Sequence, residues 1–105
     1  MTKKPKRART ARREADRDRE KLGAAARRLH ALEPGGAPEH PIAVPTPSVV
    51  EVDATSRRCG VCGGETRLLD HTVVEHEGRR LRVVRVTCKA CRAEWRWFYR
   101  IAAAN

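Results

Sequence analysis

The sequence predicts a small β domain clamped by a metal ion, preceded by a charged amino-terminal helix and a proline-rich linker. Three observations carry that expectation. Four cysteines fall as two Cys-x-x-Cys pairs, Cys59 with Cys62 and Cys88 with Cys91, separated by 25 residues. The residues between the pairs include two runs rich in β-branched side chains, joined by Glu77 and Gly78. The composition also changes sharply along the chain, dividing it into segments 1–33, 34–56 and 57–105.

The first segment holds twelve basic and five acidic residues, net +7. Apolar positions at Ala8, Ala11, Ala15, Leu22, Ala25, Leu29 and Leu32 follow three-and-four spacing, interrupted by Asp18. This places one stripe along a helix from about Ala8 to Leu32. Asp16 with Arg12 or Arg19, and Glu20 with Arg17, add opposite charges three or four positions apart. Gly23 weakens the middle by roughly 1 kcal/mol relative to alanine, and Pro34, Gly35 and Gly36 end the helix. The alanine-rich stripe gives a helix of marginal stability alone. It reads either as a solvated charged helix or as one that docks on a protein partner through Leu22, Leu29 and Leu32. Lys3, Lys4, Lys6 and Arg7, ahead of it, read as an unordered basic tail suited to nucleic acid.

Segment 34–56 carries five of the six prolines, no Lys or Arg and net −3. Proline at that density opposes both helix and ladder pairing, so the segment reads as an extended linker. Val49, Val50 and Val52 form a β-prone run, giving a candidate short strand over 49–53.

Segment 57–105 contains every cysteine and every aromatic residue and carries net +6. A Cys-x-x-Cys turn directs two thiolates at one point, and two such turns supply the tetrahedral sulfur set that zinc prefers. Leu68 to His76 and Arg79 to Thr87 pair as a hairpin around Glu77-Gly78. That alignment sets Val74 opposite Leu81, Thr72 opposite Val83 and Leu69 opposite Val86. It also brings Glu75 to Arg80 and Asp70 to Arg85, two opposite-charge pairs in register. A third strand, Glu94 to Ile101, follows the second cysteine pair. Gly60, Gly63 and Gly64 suit the first turn, whereas the second has Lys89, Ala90 and Arg92 and no glycine.

Paired cysteine turns at either end of a hairpin, followed by another strand, resemble the zinc-ribbon superfamily over about Arg57 to Ile101. The resemblance implies one structural Zn2+ held by Cys59, Cys62, Cys88 and Cys91. It does not select a function, because such ribbons serve in transcription factors, ribosomal proteins, enzyme appendages and adaptors. The whole chain also resembles small bacterial proteins joining a basic helix, a proline-rich linker and such a ribbon, which implies no activity. Four thiolates on one divalent ion carry net −2, and Arg57, Arg58, Lys89 and Arg92 are the neighbouring cations placed to offset it. Iron in a rubredoxin-like site is the competing metal. Those sites usually have glycine after both pairs and sit on acidic domains, unlike this basic chain.

The net charge of +10 and a pI near 10.5 point to polyanionic partners: nucleic acid, a ribonucleoprotein or an acidic membrane surface. Eighteen of the 23 basic residues are arginine, so genomic codon bias is a second source of that charge. Within Glu94 to Ile101, Trp95, Trp97, Tyr99 and Ile101 share one face and form a candidate core row. Arg96, Phe98 and Arg100 share the other. Phe98 between two arginines, with Arg82 on the adjacent strand, gives a candidate surface for single-stranded nucleic acid. His30, His40, His71 and His76 are scattered, with no nucleophile and base arranged together, and no phosphate-binding glycine loop precedes a helix.

The expectation is therefore a non-enzymatic binding module with no small-molecule substrate. Its alternatives are an adaptor docking through the helix and an accessory subunit of an enzyme. No signal peptide or membrane span is expected, and paired cysteines at this spacing suit a reducing, cytoplasmic compartment.

Overall fold

A computed structural model describes residues 8–102. Lys3, Lys4, Lys6 and Arg7 lie outside the described residues. Helix α1 covers Ala8–Leu32, starting at the first described residue, and its carboxyl end falls just before Pro34, Gly35 and Gly36. Four strands form one mixed sheet: β1 (Ile42–Val44), β2 (Thr66–His76), β3 (Arg79–Cys88) and β4 (Glu94–Ile101), in the order β1-β4-β3-β2. A second helix, α2 (Ser48–Ser56), lies between β1 and β2 in sequence. Among the described residues no helix is long and apolar enough to cross a membrane.

The β2–β3 hairpin turns on Glu77 and Gly78, both at positive φ (50° and 78°), the conformation a two-residue loop needs to match strand twist. Val74 faces Leu81, Thr72 faces Val83, Glu75 faces Arg80 and Asp70 faces Arg85. One pairing differs from the sequence alignment: Val86 faces Leu68, and Leu69 sits in a bulge before Asp70. The cause is length. β2 has eleven residues against ten in β3, and Thr66 is pinned opposite Cys88, so one residue is extruded.

The valines expected as a strand at 49–53 belong instead to α2. Pro47 supplies the helical φ of −60° at its start. Val50 and Ala54, one turn apart, are both wholly buried against the sheet. That burial outweighs the β-propensity of the valines, which is a weak preference set mostly by packing. The buried core joins Val50 and Ala54 to Val84, Val86, Trp95, Trp97 and Tyr99. Trp95, Trp97 and Tyr99 are the expected core row, whereas Ile101 is 36% exposed and stands outside it.

Segment 34–56 is not a free linker. The Phe98 N–H donates to Gly35 O at 2.7 Å, and β1 then pairs parallel with β4, Ile42 opposite Tyr99. Pro41 and Pro45 flank β1 rather than interrupt it, and an edge strand tolerates their missing donors. A hydrogen-bonded pin holds α2 to the sheet. Tyr99 Oη donates to Asp53 Oδ2 at 2.7 Å, and Arg57 Nε donates to the same oxygen at 2.9 Å. The Arg57 guanidinium lies 4.7 Å above the Trp97 ring centroid. Burial, then the Asp53 carboxylate, raises the Tyr99 pKa above the usual tyrosine value.

Helix α1 buries no residue completely and meets the sheet domain at its carboxyl end. His30 packs edge-on against Trp97 and Trp95, with ring centroids 4.4 and 5.0 Å apart. Its Nε2–H donates to Arg96 O at 2.7 Å; the carbonyl can only accept, which fixes the tautomer. His40 Nε2–H likewise donates to Ala31 O at 2.7 Å, satisfying a carbonyl of the last helical turn.

Candidate metal centre

The turn at 59–64, between α2 and β2, and the turn at 88–93, between β3 and β4, have the same backbone design. In the first, the Gly63 N–H donates to Cys59 O at 2.9 Å and the Cys59 N–H to Gly64 O at 3.0 Å. In the second, the Arg92 N–H donates to Cys88 O at 3.0 Å and the Cys88 N–H to Ala93 O at 2.9 Å. Residues 63 and 92 are the left-handed members, at φ 71° and 64°. The second turn therefore reaches the geometry of the first without glycine.

These turns bring Cys59, Cys62, Cys88 and Cys91 together, all four sulfurs lying within 4.8 Å of one another. The two cross-turn pairs are closer, Cys59 to Cys91 at 3.6 Å and Cys62 to Cys88 at 3.4 Å. A tetrahedral ion with ~2.3 Å metal–sulfur bonds sets sulfurs about 3.8 Å apart, so the cluster has the size of a four-sulfur site. All four cysteines are free thiols. Cys59 and Cys88 are buried, and Cys62 and Cys91 are at the surface.

The surroundings fit a bound cation. The Val61 N–H points at Cys59 Sγ (3.4 Å) and the Cys91 N–H at Cys88 Sγ (3.5 Å), donors that stabilise thiolate. The Cys91 N–H is the largest influence lowering Cys88 to about 6; burial opposes it, and the Ala90 N–H and neighbouring sulfurs reinforce it. Burial raises Cys59, but the N–H groups of Cys62 and Val61 outweigh it and leave that thiol below its ordinary value. Cys91 goes the other way, to about 12. The Ala93 N–H favours its thiolate, but burial and the proton it shares with the other three sulfurs prevail. Four thiolates cannot coexist here without a positive ion.

Two packing details agree. The buried Trp95 Nε1–H has no partner within hydrogen-bond distance, and it favours the Cys59 thiolate through a looser approach. At Gly64 an added Cβ would lie 2.9 Å from Cys88 Sγ and 3.2 Å from Cys62 Sγ, so the sulfurs occupy the space a side chain would take.

Three of the cations expected to offset the cluster also meet carboxylates. Arg57 serves the Asp53 pin, and Arg58 and Lys89 both approach Glu65, at 3.6 Å. Arg92 contributes its backbone to the second turn.

The sheet face opposite α2 carries Asp70, Thr72, Val74, Val83, Arg85, Arg96 and Phe98, which line one shallow groove. Phe98 is half-buried there, facing Val83 across β3. Arg96 and Arg100 flank it along β4, are exposed, and have no ion-pair partner among the described residues. Arg85 is neutralised, 2.6 Å from Asp70 and 3.5 Å from Glu94. Arg82 does not join this set. It pairs with Tyr99, so strand alternation sends it to the α2 side. At the hairpin end, Pro38 and Pro41 line a hollow with Leu81 and His76, and Leu81 is buried.

His30 was not legible as a structural residue, because its partners lie 65 or more positions away. No protein-family model matches the chain, and neither curated proteins nor solved structures give a significant match.

Proposed function

We propose that the chain is a zinc-ribbon module without catalytic activity, which binds single-stranded nucleic acid on the open face of its sheet. Zinc is the assignment for four thiolates of tetrahedral size in a basic domain. With every coordination position taken by cysteine, no position remains for a reacting water, and the metal's role is to hold the fold. Free thiols of this kind belong in a reducing compartment, the cytoplasm.

The observation that carries the nucleic-acid reading is the division of labour within β4. Trp95, Trp97 and Tyr99 are consumed by the core, at 5, 6 and 0% exposure. Phe98 is left partly exposed on the other face, flanked along β4 by the exposed Arg96 and Arg100. A ring for stacking and guanidinium groups for phosphate are what a strand-binding surface requires. The basic tail at Lys3, Lys4, Lys6 and Arg7 adds sequence-independent attraction.

The test is a fluorescence-anisotropy titration of labelled single-stranded DNA and RNA. Binding weakens steeply between about 50 and 200 mM salt, as counterion release demands. Phe98→Ala costs roughly 1–3 kcal/mol of binding, the range for one stacked base. Absence of binding at ~50 mM salt ends the reading, as does full affinity in a Phe98→Ala, Arg96→Glu double variant.

A further inference from the structure

Arg67 of β2 stands opposite Thr87 of β3, and with Lys89 and Arg92 of the second cysteine turn it lines one open hollow beside the sheet. Glu94 is the acidic residue of that hollow, and its carboxylate is drawn toward Arg85, 3.5 Å away. Lys89 reaches Glu65 at 3.6 Å. Arg67 and Arg92 are exposed and meet no carboxylate among the described residues. Two guanidinium forks are thus left without an anion, and phosphate is the group their planar donors match.

Arg92 carries a second, independent sign. Its φ of 64° is one that glycine adopts freely, and glycine stands at the equivalent place in the first turn, Gly63. The Arg92 N–H donates to Cys88 O at 3.0 Å and the Thr87 hydroxyl donates to Arg92 O at 3.3 Å, so hydrogen bonds on both sides hold that backbone. Unfavourable backbone held in this way clusters where a side chain serves a ligand.

We propose that this hollow is a phosphate site, and that a single nucleic-acid strand stacked on Phe98 runs along β4 to place a backbone phosphate between Arg67 and Arg92. The inference rests on the nucleic-acid reading given above. Both places lie on one face of the sheet: Phe98 stands opposite Val83, and Glu94 opposite Thr87, about 13 Å along the strand. Between them Asp70 and Glu94 share Arg85, and Arg96 stands across from Arg85, so two guanidiniums balance two carboxylates. The path meets no excess of negative charge.

Anisotropy titrations of the full, zinc-loaded chain with a labelled oligothymidylate of about twelve nucleotides test this. Arg67→Gln with Arg92→Gly should weaken binding about tenfold or more, as loss of charge-assisted hydrogen bonds does. The slope of log affinity against log salt should shrink by about 0.7, the share of one phosphate on a single strand. Arg80→Gln with Arg82→Gln removes the same charge from the α2 side of β3 and should leave that slope unchanged. Full affinity in the Arg67, Arg92 variant overturns the inference, as does an equal loss in the Arg80, Arg82 variant. Weaker zinc binding by Arg92→Gly also overturns it, since the guanidinium would then serve the thiolates. Binding that needs Phe98 but neither Arg67 nor Arg92 removes the phosphate site alone. Binding that needs the two arginines and not Phe98 keeps the phosphate site and removes the stacking. No binding by the unmodified chain at ~50 mM salt removes both.

Discussion

Arg92 holds in the second cysteine turn the left-handed conformation that Gly63 holds in the first, at φ 64° against 71°. A side chain with a Cβ pays for that conformation by roughly 1–2 kcal/mol, partly offset because glycine loses more freedom on folding. Arg92→Gly should therefore stabilise the zinc-loaded protein by about 0.5–1 kcal/mol in denaturant unfolding. Gly63→Ala should destabilise it by a similar or larger amount. Equal midpoints for all three proteins would contradict the equivalence of the turns.

Gly64 matters for space rather than for backbone freedom. A methyl group there would meet Cys88 Sγ at 2.9 Å. Gly64→Ala should weaken zinc binding about tenfold or more, a cost typical of disturbed ligand surroundings. Competition against a chromophoric chelator measures it, and unchanged affinity would mean that the second turn shifts without penalty.

Acid should release the metal. Cys88, at about 6 in the fold against an ordinary value of 9.0, favours the folded state while it is ionised. That contribution is complete above the ordinary thiol range and is lost as pH falls through about 6. Zinc competes with protons for the same sulfurs, so occupancy should be full at neutral pH and fall as the solution is acidified. Retention of zinc at pH 4 would refute this.

Tyr99→Phe should leave the metal in place and loosen α2. The lost bond is the 2.7 Å donation to Asp53, a hydrogen bond to a charged acceptor. Its removal should cost about 1.5 kcal/mol of unfolding free energy with unchanged zinc stoichiometry. A loss of zinc instead would show that the pin and the cysteine turns are coupled.

Chelation should release α1 from the sheet domain. Trp95 touches both ends of this linkage: an added Cβ at Gly60, in the first turn, would lie 3.1 Å from its ring, and His30 of α1 packs on its edge. Removing zinc should shift tryptophan emission to longer wavelength and raise hydrogen exchange at the carboxyl end of α1. Protection of those amides that persists after complete metal removal would separate the helix from the metal centre.

The parts legible in the sequence were those fixed by short-range chemistry. The cysteine spacing located the cluster, Glu77-Gly78 located the hairpin turn, and the Asp70–Arg85 and Glu75–Arg80 pairs fixed most of its register. Leu69 was misplaced by one position because a bulge depends on where the second turn anchors Thr66 and Cys88. Val49 to Val52 read as strand because propensity carries no information about the sheet face that Val50 and Ala54 meet. The pairing of Ile42 with Tyr99 joins residues 57 positions apart through a three-residue strand, too little sequence to signal a partner. Arg82 was grouped with Phe98 by proximity along neighbouring strands, and only the register places it on the other face.

The strand order β1-β4-β3-β2 puts the last-translated of the four strands in the interior of the sheet. Until it arrives, a nascent chain has only the hairpin and α2, with α2 lacking Tyr99 as an anchor and β1 lacking the strand it pairs with. Both cysteine pairs are translated before that strand is complete, so metal capture can precede sheet closure on the ribosome. β1 and the carboxyl end of α1, although made first, find their partners only once β4 is in place.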